Sequence, residues 1–256
     1  MKFYLNHKNY IDTEFPLDIS IPITNTDQNL RAWYVDFPVI EPVKENGFLG
    51  SVAEGGTVNF RNIFFNPHGH GTHTECLGHI TEEVYSINKS LKTYFYNAEL
   101  ITIEPVSFTN PIDNGKDLVI YKHQLELKLK GLKTEALIIR TTPNVDSKLH
   151  LNYSATNPPY LDITCIEVLN ECGVKHILID LPSVDRENDN GQLVFHHAFW
   201  KVPENPQFDK TITELIFVNN SIEDGSYILE IQTAPFENDA SPSRPILYKI
   251  IEDTSI

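Results

Sequence analysis

Hydrophobic and polar positions divide this 256-residue chain into short alternating runs and a few wholly apolar ones. Alternation with period two marks strands with one buried face, and short apolar runs mark strands buried on both. Leu17-Asp18-Ile19-Ser20-Ile21-Pro22-Ile23 alternates and breaks at proline, and residues 1–40 read as short strands and turns. Residues 41–57 hold Gly47, Gly50, Gly55 and Gly56 and read as a loop. Val58 to Phe65 reads as a strand, and Ile80 to Tyr96 as a short helix and loop at the mouth of a pocket. Ala98 to Ile103 alternates like a strand, and a polar region with Pro111, Asn114 and Gly115 follows. Residues 118–130 alternate and then turn Lys-rich, matching neither template throughout. Ala136-Leu137-Ile138-Ile139-Arg140 is an apolar run suited to a buried strand.

The next helix carries its own punctuation. Thr164 and Glu167 stand at capping-box spacing, Ile166, Leu169 and Cys172 repeat at three, and Gly173 supplies a left-handed end. Lys175 to Asp180 follows as a strand, so 136–180 predicts a right-handed strand–helix–strand unit. Residues 182–195 read as polar loop, and Thr211 to Val218 as a strand with Glu214 leading into its apolar part. Tyr227 to Thr233 and Ile246 to Ile251 are the last strands, joined by a proline-containing loop, 234–245. Without repeats or an evident linker, residues 1–256 are expected to form a single α/β domain.

Composition narrows the partners. A net charge of −15 argues against nucleic acid, whose phosphates need clustered Lys and Arg. Cys76, Cys165 and Cys172 form neither an even framework nor a CxxC pair, which predicts reduced thiols and a cytoplasmic location. The first residues lack an apolar signal core, and no apolar run reaches membrane-spanning length.

The candidate chemistry is concentrated in Asn66-Pro67-His68-Gly69-His70-Gly71-Thr72-His73-Thr74-Glu75-Cys76-Leu77-Gly78-His79, which carries four of the ten histidines. Imidazole and carboxylate bind borderline divalent metals such as zinc or manganese. His73 and Glu75, two apart, point to one side of an extended segment, and His79, four beyond Glu75, shares its face on a following helical turn. Gly69, Gly71 and Gly78 are expected to permit tight or positive-φ backbone there. A second set of possible ligands lies further on: Asp180, Asp185, His196, His197 and Glu214. By itself, Glu214 before an apolar run reads more simply as a solvated strand end, and His196 as an ordinary packed histidine.

Taken together, these segments resemble the cyclase family of metal-dependent hydrolases (kynurenine formamidase-like). Its core motif, H-x-G-T-H-x-D-x-P-x-H, is similar to Gly71-Thr72-His73-Thr74-Glu75 with His79 four further on. Ile138-Ile139-Arg140-Thr141, Asp180-Leu181-Pro182-Ser183-Val184-Asp185, His196, Glu214 and Ala240-Ser241-Pro242-Ser243-Arg244-Pro245 extend the resemblance over nearly the whole chain. It implies a mixed β-sheet with flanking helices, a swivelling β/β/α fold, assembled as a homodimer or higher homo-oligomer. It also implies a site of one or two zinc or manganese ions held by His68, His73, Glu75, His196 and Glu214, with His79 as general acid/base. The implied substrate is a small molecule, an aromatic formamide, amide or cyclic amide opened at a C–N bond. Phe64, Phe65, Phe199 or Trp200 are candidate pocket walls. The same site would also serve ring closure, dehydration or lactone hydrolysis, or bind metal without catalysis.

The chain departs from the motif at three places. Glu75 replaces the aspartate, and Leu77 the proline. Gly69 stands where the first histidine belongs, so His68, with one inserted residue, or His70 takes its place; His68 is preferred. His197 is the neighbouring alternative to His196, and Val202 to Asp209 reads as an inserted loop.

Overall fold

The apolar run at 136–140 forms the middle of a nine-stranded sheet in the structure, a computed structural model that describes residues 1–111 and 114–254. In chain order the strands are β1 (Leu17–Asp18), β2 (His73–Glu75), β3 (Phe95–Ile103), β4 (Ala136–Thr141) and β5 (His176–Ile179). They continue as β6 (Thr211–Glu214), β7 (Gly225–Glu230), β8 (Ala240–Pro242) and β9 (Ile246–Lys249). Side by side the order is β8-β2-β6-β5-β4-β3-β7-β9-β1. The four central strands, β6 to β3, run parallel, and the outer pairings are antiparallel. This is the α/β fold with a mixed sheet that the sequence predicts.

The central strands read as continuously apolar because both of their faces are covered. Leu137 and Ile139 of β4 enter one core and Ala136 and Ile138 the other. Three helices cover the first face: α1 (Lys122–Leu129), α2 (Cys165–Cys172) and α3 (Val194–Trp200). Leu125, Leu169, Phe199 and Trp200 on these helices are fully buried there. The opposite core holds Ile19, Ile216, Leu229 and Leu247. Cys76, Cys165 and Cys172 are buried free thiols. Among the described residues, no helix is long and apolar enough to cross a membrane.

Several elements differ from expectation. Residues 118–130 fit no single template because they hold two elements, the end of strand Lys116–Ile120 and helix α1. Thr164 is itself helical and caps nothing; its N–H and hydroxyl both donate to Asp162 Oδ1, and Glu167 pairs with Lys122 instead. Gly173 does end α2, at φ 82°. The strand expected over Val58 to Phe65 shortens to Arg61–Phe64 and pairs with Val39–Pro42 in an exposed ribbon outside the main sheet. Between Ile80 and Tyr96 the helix is the single turn Ile87–Ser90, and the last two residues already belong to β3. The strand expected over Thr211 to Val218 stops at Glu214, because Leu215 turns to φ 57°. His196 and His197 lie within α3 rather than at the end of a loop, and the expected loop 234–245 contains β8. The polar region predicted after Ile103 falls partly on residues 112–113, outside the described residues.

Candidate metal centre

Strand pairing brings the distant acid and histidine together. β2 and β6 are antiparallel neighbours, with Glu214 directly opposite His73 and Ile212 opposite Glu75. Side chains alternate across a strand, so His73 and Glu75 share one face while Thr74 takes the other. There Thr74 Oγ1 and Thr213 Oγ1 share a 2.7 Å hydrogen bond. Glu214 therefore closes its strand, 3% exposed, and the solvated reading of it is overturned. Its Oε2 lies 3.5 Å from His73 Nε2.

Two short turns supply the next imidazoles. Asn66 caps the turn Pro67–His70, its side chain accepting from His68 N. This places His68 Nδ1 3.1 Å from Glu75 Oε2. The turn Leu77–His79 places His79 Nδ1 3.9 Å from the same oxygen. Of the two conformations expected of the glycines here, tight or left-handed, the left-handed one is adopted by none of them, and Gly71 is extended at φ 168°. They are required by close approach: a Cβ on Gly78 would meet Tyr85 O at 2.2 Å, and one on Gly69 would meet Val35 Cγ2 at 2.8 Å.

Helix α3 brings the last imidazole across the sheet. His196 Nε2 lies 3.1 Å from Glu75 Oε1 and 3.9 Å from Glu214 Oε1. Glu75 thus has His68, His79 and His196 within 4 Å, and Glu214 has His73 and His196, although more than a hundred residues separate Glu75 from His196. His70 and His197 face elsewhere. His70 accepts from Asn66 N and donates to Asp36 O, and His197 Nδ1 donates to Val202 O.

Two carboxylates complete the surroundings. Asp185, singled out in the sequence only as part of a loose set, lies 2.6 Å behind His196 Nδ1. Asp239 was not singled out at all; its Oδ2 lies 2.9 Å from His68 Nε2 and 3.2 Å from His79 Nδ1. The signal available for it was its place immediately before Ala240-Ser241-Pro242, which forms β8 next to β2. Asp180 stands apart from the centre, bonded to Thr141 N and Oγ1 and to Lys148 Nζ.

The electrostatics follow from burial and pairing. Burial alone would raise the Glu75 carboxyl, but the imidazoles of His79, His196 and His68 hold it well below the ordinary carboxylate range. Glu214 is pushed up, by burial and then by the neighbouring Glu75 charge. Burial opposes charge on His68 and His196, yet adjacent carboxylates push both imidazoles up to about 10. Asp239 is held well below its usual value, the bonds from His68 and His79 outweighing its burial.

These residues fit a divalent cation. His73 Nε2 and Glu75 Oε2 are buried and have no hydrogen-bond partner among the described residues, a costly arrangement without a further occupant. His73 Nδ1 donates to Gly71 O, which leaves the Nε2 lone pair turned toward Glu214. Two trios of donors lie within cation-binding reach, His68–Glu75–His79 and His73–Glu75–Glu214, and Glu75 is common to both. A cleft of about 300 Å³ opens onto them, lined by Trp33, Val35, Asn66, Ser183 and Leu193 together with His68, His79, His196 and Glu214. The aromatic walls expected from sequence are elsewhere. Phe199 and Trp200 are wholly buried in the core, Phe64 is exposed on the ribbon, and Phe65 packs against Phe236.

An α/β sheet carrying a cluster of imidazoles and carboxylates at one end of a cleft defines the general class: a protein built around a candidate metal centre. The pattern that defines the Cyclase family matches residues 17–186, and the chain belongs to that family. It is 25% identical over 236 residues to a kynurenine formamidase of Bacillus cytotoxicus, covering 90% of this chain and 96% of that protein. Identity to a kynurenine formamidase of Bacillus anthracis is 27% over 237 residues, covering 91% and 97%. Among solved structures, an isatin hydrolase bound to the product analogue thioisatinate superposes with a TM-score of 0.63 at 12% identity, covering 93% of this chain and 92% of that one. A potential metal-dependent hydrolase with cyclase activity superposes at 0.61 and 14% identity, covering 92% and 98%.

Proposed function

We propose that this protein is a metal-dependent amidohydrolase that opens the C–N bond of an aromatic formamide, amide or cyclic amide. The observation that carries the reading is the grouping of His68, His79, His73 and Glu214 in two trios around a shared Glu75, with His196 3.1 Å from that carboxylate and with His73 Nε2 and Glu75 Oε2 buried without hydrogen-bond partners among the described residues. The relatives named kynurenine formamidase and the isatin hydrolase structure support the choice of bond.

His73, Glu75 and Glu214 would hold one ion; His68, with His196 close by, would complete it or help to hold a second across the shared Glu75. The nitrogen and oxygen donor set suits zinc or manganese. Such an ion, when bound, polarises a carbonyl and lowers the pKa of water from about 15.7 to near 7. His79, 30% exposed at the cleft, would take a proton from attacking water and return it to the leaving nitrogen. Trp33 and Val35 give the cleft an apolar wall against which an aromatic ring would lie.

The test is hydrolysis of a panel containing formanilide, isatin and an aryl lactone. Amide or formamide turnover that disappears with a chelator and returns with zinc or manganese supports the proposal. Turnover indifferent to chelation ends it, and turnover of the lactone alone moves the assignment to ester chemistry.

A further inference from the structure

We infer that Asp239 is the positioning residue of this centre, fixing through one oxygen which nitrogen of His68 faces Glu75 and which nitrogen of His79 is free to accept a proton. The inference rests on the function proposed above. His68 Nε2 and His79 Nδ1 both lie within hydrogen-bonding distance of Asp239 Oδ2, at 2.9 and 3.2 Å. An ionised carboxylate accepts and does not donate, so each of those nitrogens must carry the proton. The His68 nitrogen left to face Glu75 Oε2, at 3.1 Å, is then Nδ1, the one that a bound cation would meet as a lone pair. His79 is left with a bare Nε2, which makes no hydrogen bond to any described residue. A single carboxylate thereby prepares one imidazole to bind a cation and its neighbour, 4.3 Å away between ring centres, to act as a base.

The backbone holds Asp239 in place for this. Cys76 N, the residue after Glu75, donates to Asp239 O at 3.0 Å, and Ile87 N donates to Asn238 O at 2.8 Å. The next residue, Ala240, pairs with Glu75 across β8 and β2. The loop is thus tied to the strand that carries Glu75 at the aspartate and just after it, and to the turn Ile87–Ser90 just before it.

Partners of this kind change metal affinity or activity by about 10–100-fold when removed. The experiment reads the ring tautomers of His68 and His79 by nitrogen-15 NMR in the zinc-loaded protein, and compares wild type with Asp239→Ala and Asp239→Asn. Expected are His79 protonated on Nδ1 in wild type, and for Asp239→Ala a loss of about 10–100-fold in both zinc affinity and kcat at saturating zinc, with KM for formanilide little changed. Asp239→Asn, which keeps a neutral acceptor, should fall between. His79 protonated on Nε2 in wild type overturns the inference, as do unchanged zinc affinity and kcat in Asp239→Ala. If that variant does not fold, Asp239→Asn and the wild-type tautomers decide. A wild-type protein that binds no zinc and turns over no amide instead defeats the proposed function, and the His79 tautomer of the metal-free protein still judges Asp239.

Discussion

His196 donates from Nδ1 to Asp185 Oδ2 across 2.6 Å, and the same carboxylate accepts the backbone N–H groups of Phe195 and His196. The aspartate thus holds both the start of α3 and the ring that α3 presents, leaving His196 Nε2 turned toward Glu75 at 3.1 Å. Both oxygens of Asp185 face N–H donors, so an amide in its place must set an NH2 group against one of them. Asp185→Asn should therefore weaken zinc binding by about 10–100-fold. Competition with a chromophoric chelator measures this; an unchanged affinity would show that the bond to His196 does not orient the ring.

Gly78→Ala probes the turn that carries His79. The added Cβ meets Tyr85 backbone atoms, O at 2.2 Å and N at 2.6 Å, and neither can swing aside as a side-chain tip would. Overpacking of this kind costs about 1–3 kcal/mol. Thermal unfolding should show a Tm lowered by several degrees, and kcat should fall with it because His79 is the next residue. A variant as stable and as active as wild type would mean that the Leu77–His79 turn and the Tyr85 segment separate easily.

Much of this centre is legible in the sequence because its local part obeys simple periodicity. His73 and Glu75 share a face because side chains alternate on a strand, and spacing predicts that directly. Glu214 is different. Its chain context, a carboxylate before Leu215-Ile216-Phe217-Val218, suggests a solvated end, and only the pairing of β6 with β2 shows it buried opposite His73. Asp239 is less legible still, since its role comes from a loop pinned by backbone bonds to Cys76 and Ile87, which leave no periodic trace. The same holds for fold elements. Ala136–Thr141 is evident because both its faces are buried, whereas Leu215 ends a strand through a backbone angle that its residue type gives no reason to expect.

Glu75 and His79 should separate binding from turnover. Glu75 is fully buried and belongs to both donor trios, so Glu75→Gln removes the charge that both depend on. Its purified metal content should fall well below that of wild type, by elemental analysis, and its amidase activity should vanish. His79 is partly open to the cleft, and proton transfer by a positioned side chain contributes typically about 10²–10⁴-fold. His79→Ala should lose kcat on that scale while keeping most of its metal. Loss of metal in His79→Ala to the degree seen in Glu75→Gln would assign His79 to the ligand set instead.

His176, remote from the centre, gives the fold an acid limit. It opens β5, packs at a tilt against Tyr96 with ring centres 4.0 Å apart, and shares a 2.8 Å hydrogen bond between Nδ1 and Thr211 Oγ1. Burial pulls its imidazole down from 6.5 to about 4. The unfolded chain takes up this proton at the higher pH, so between the two values it binds more protons than the folded protein does. The contribution of neutral His176 is therefore complete above pH 6.5 and is lost as the pH falls through about 4. At about 1.4 kcal/mol per unit the loss is on the order of 3 kcal/mol. Urea unfolding at intervals from pH 7 to 4 should show wild type losing more stability than His176→Gln, whose neutral amide can still bond Thr211. Parallel curves would mean that His176 carries its charge in the folded core at low pH without penalty.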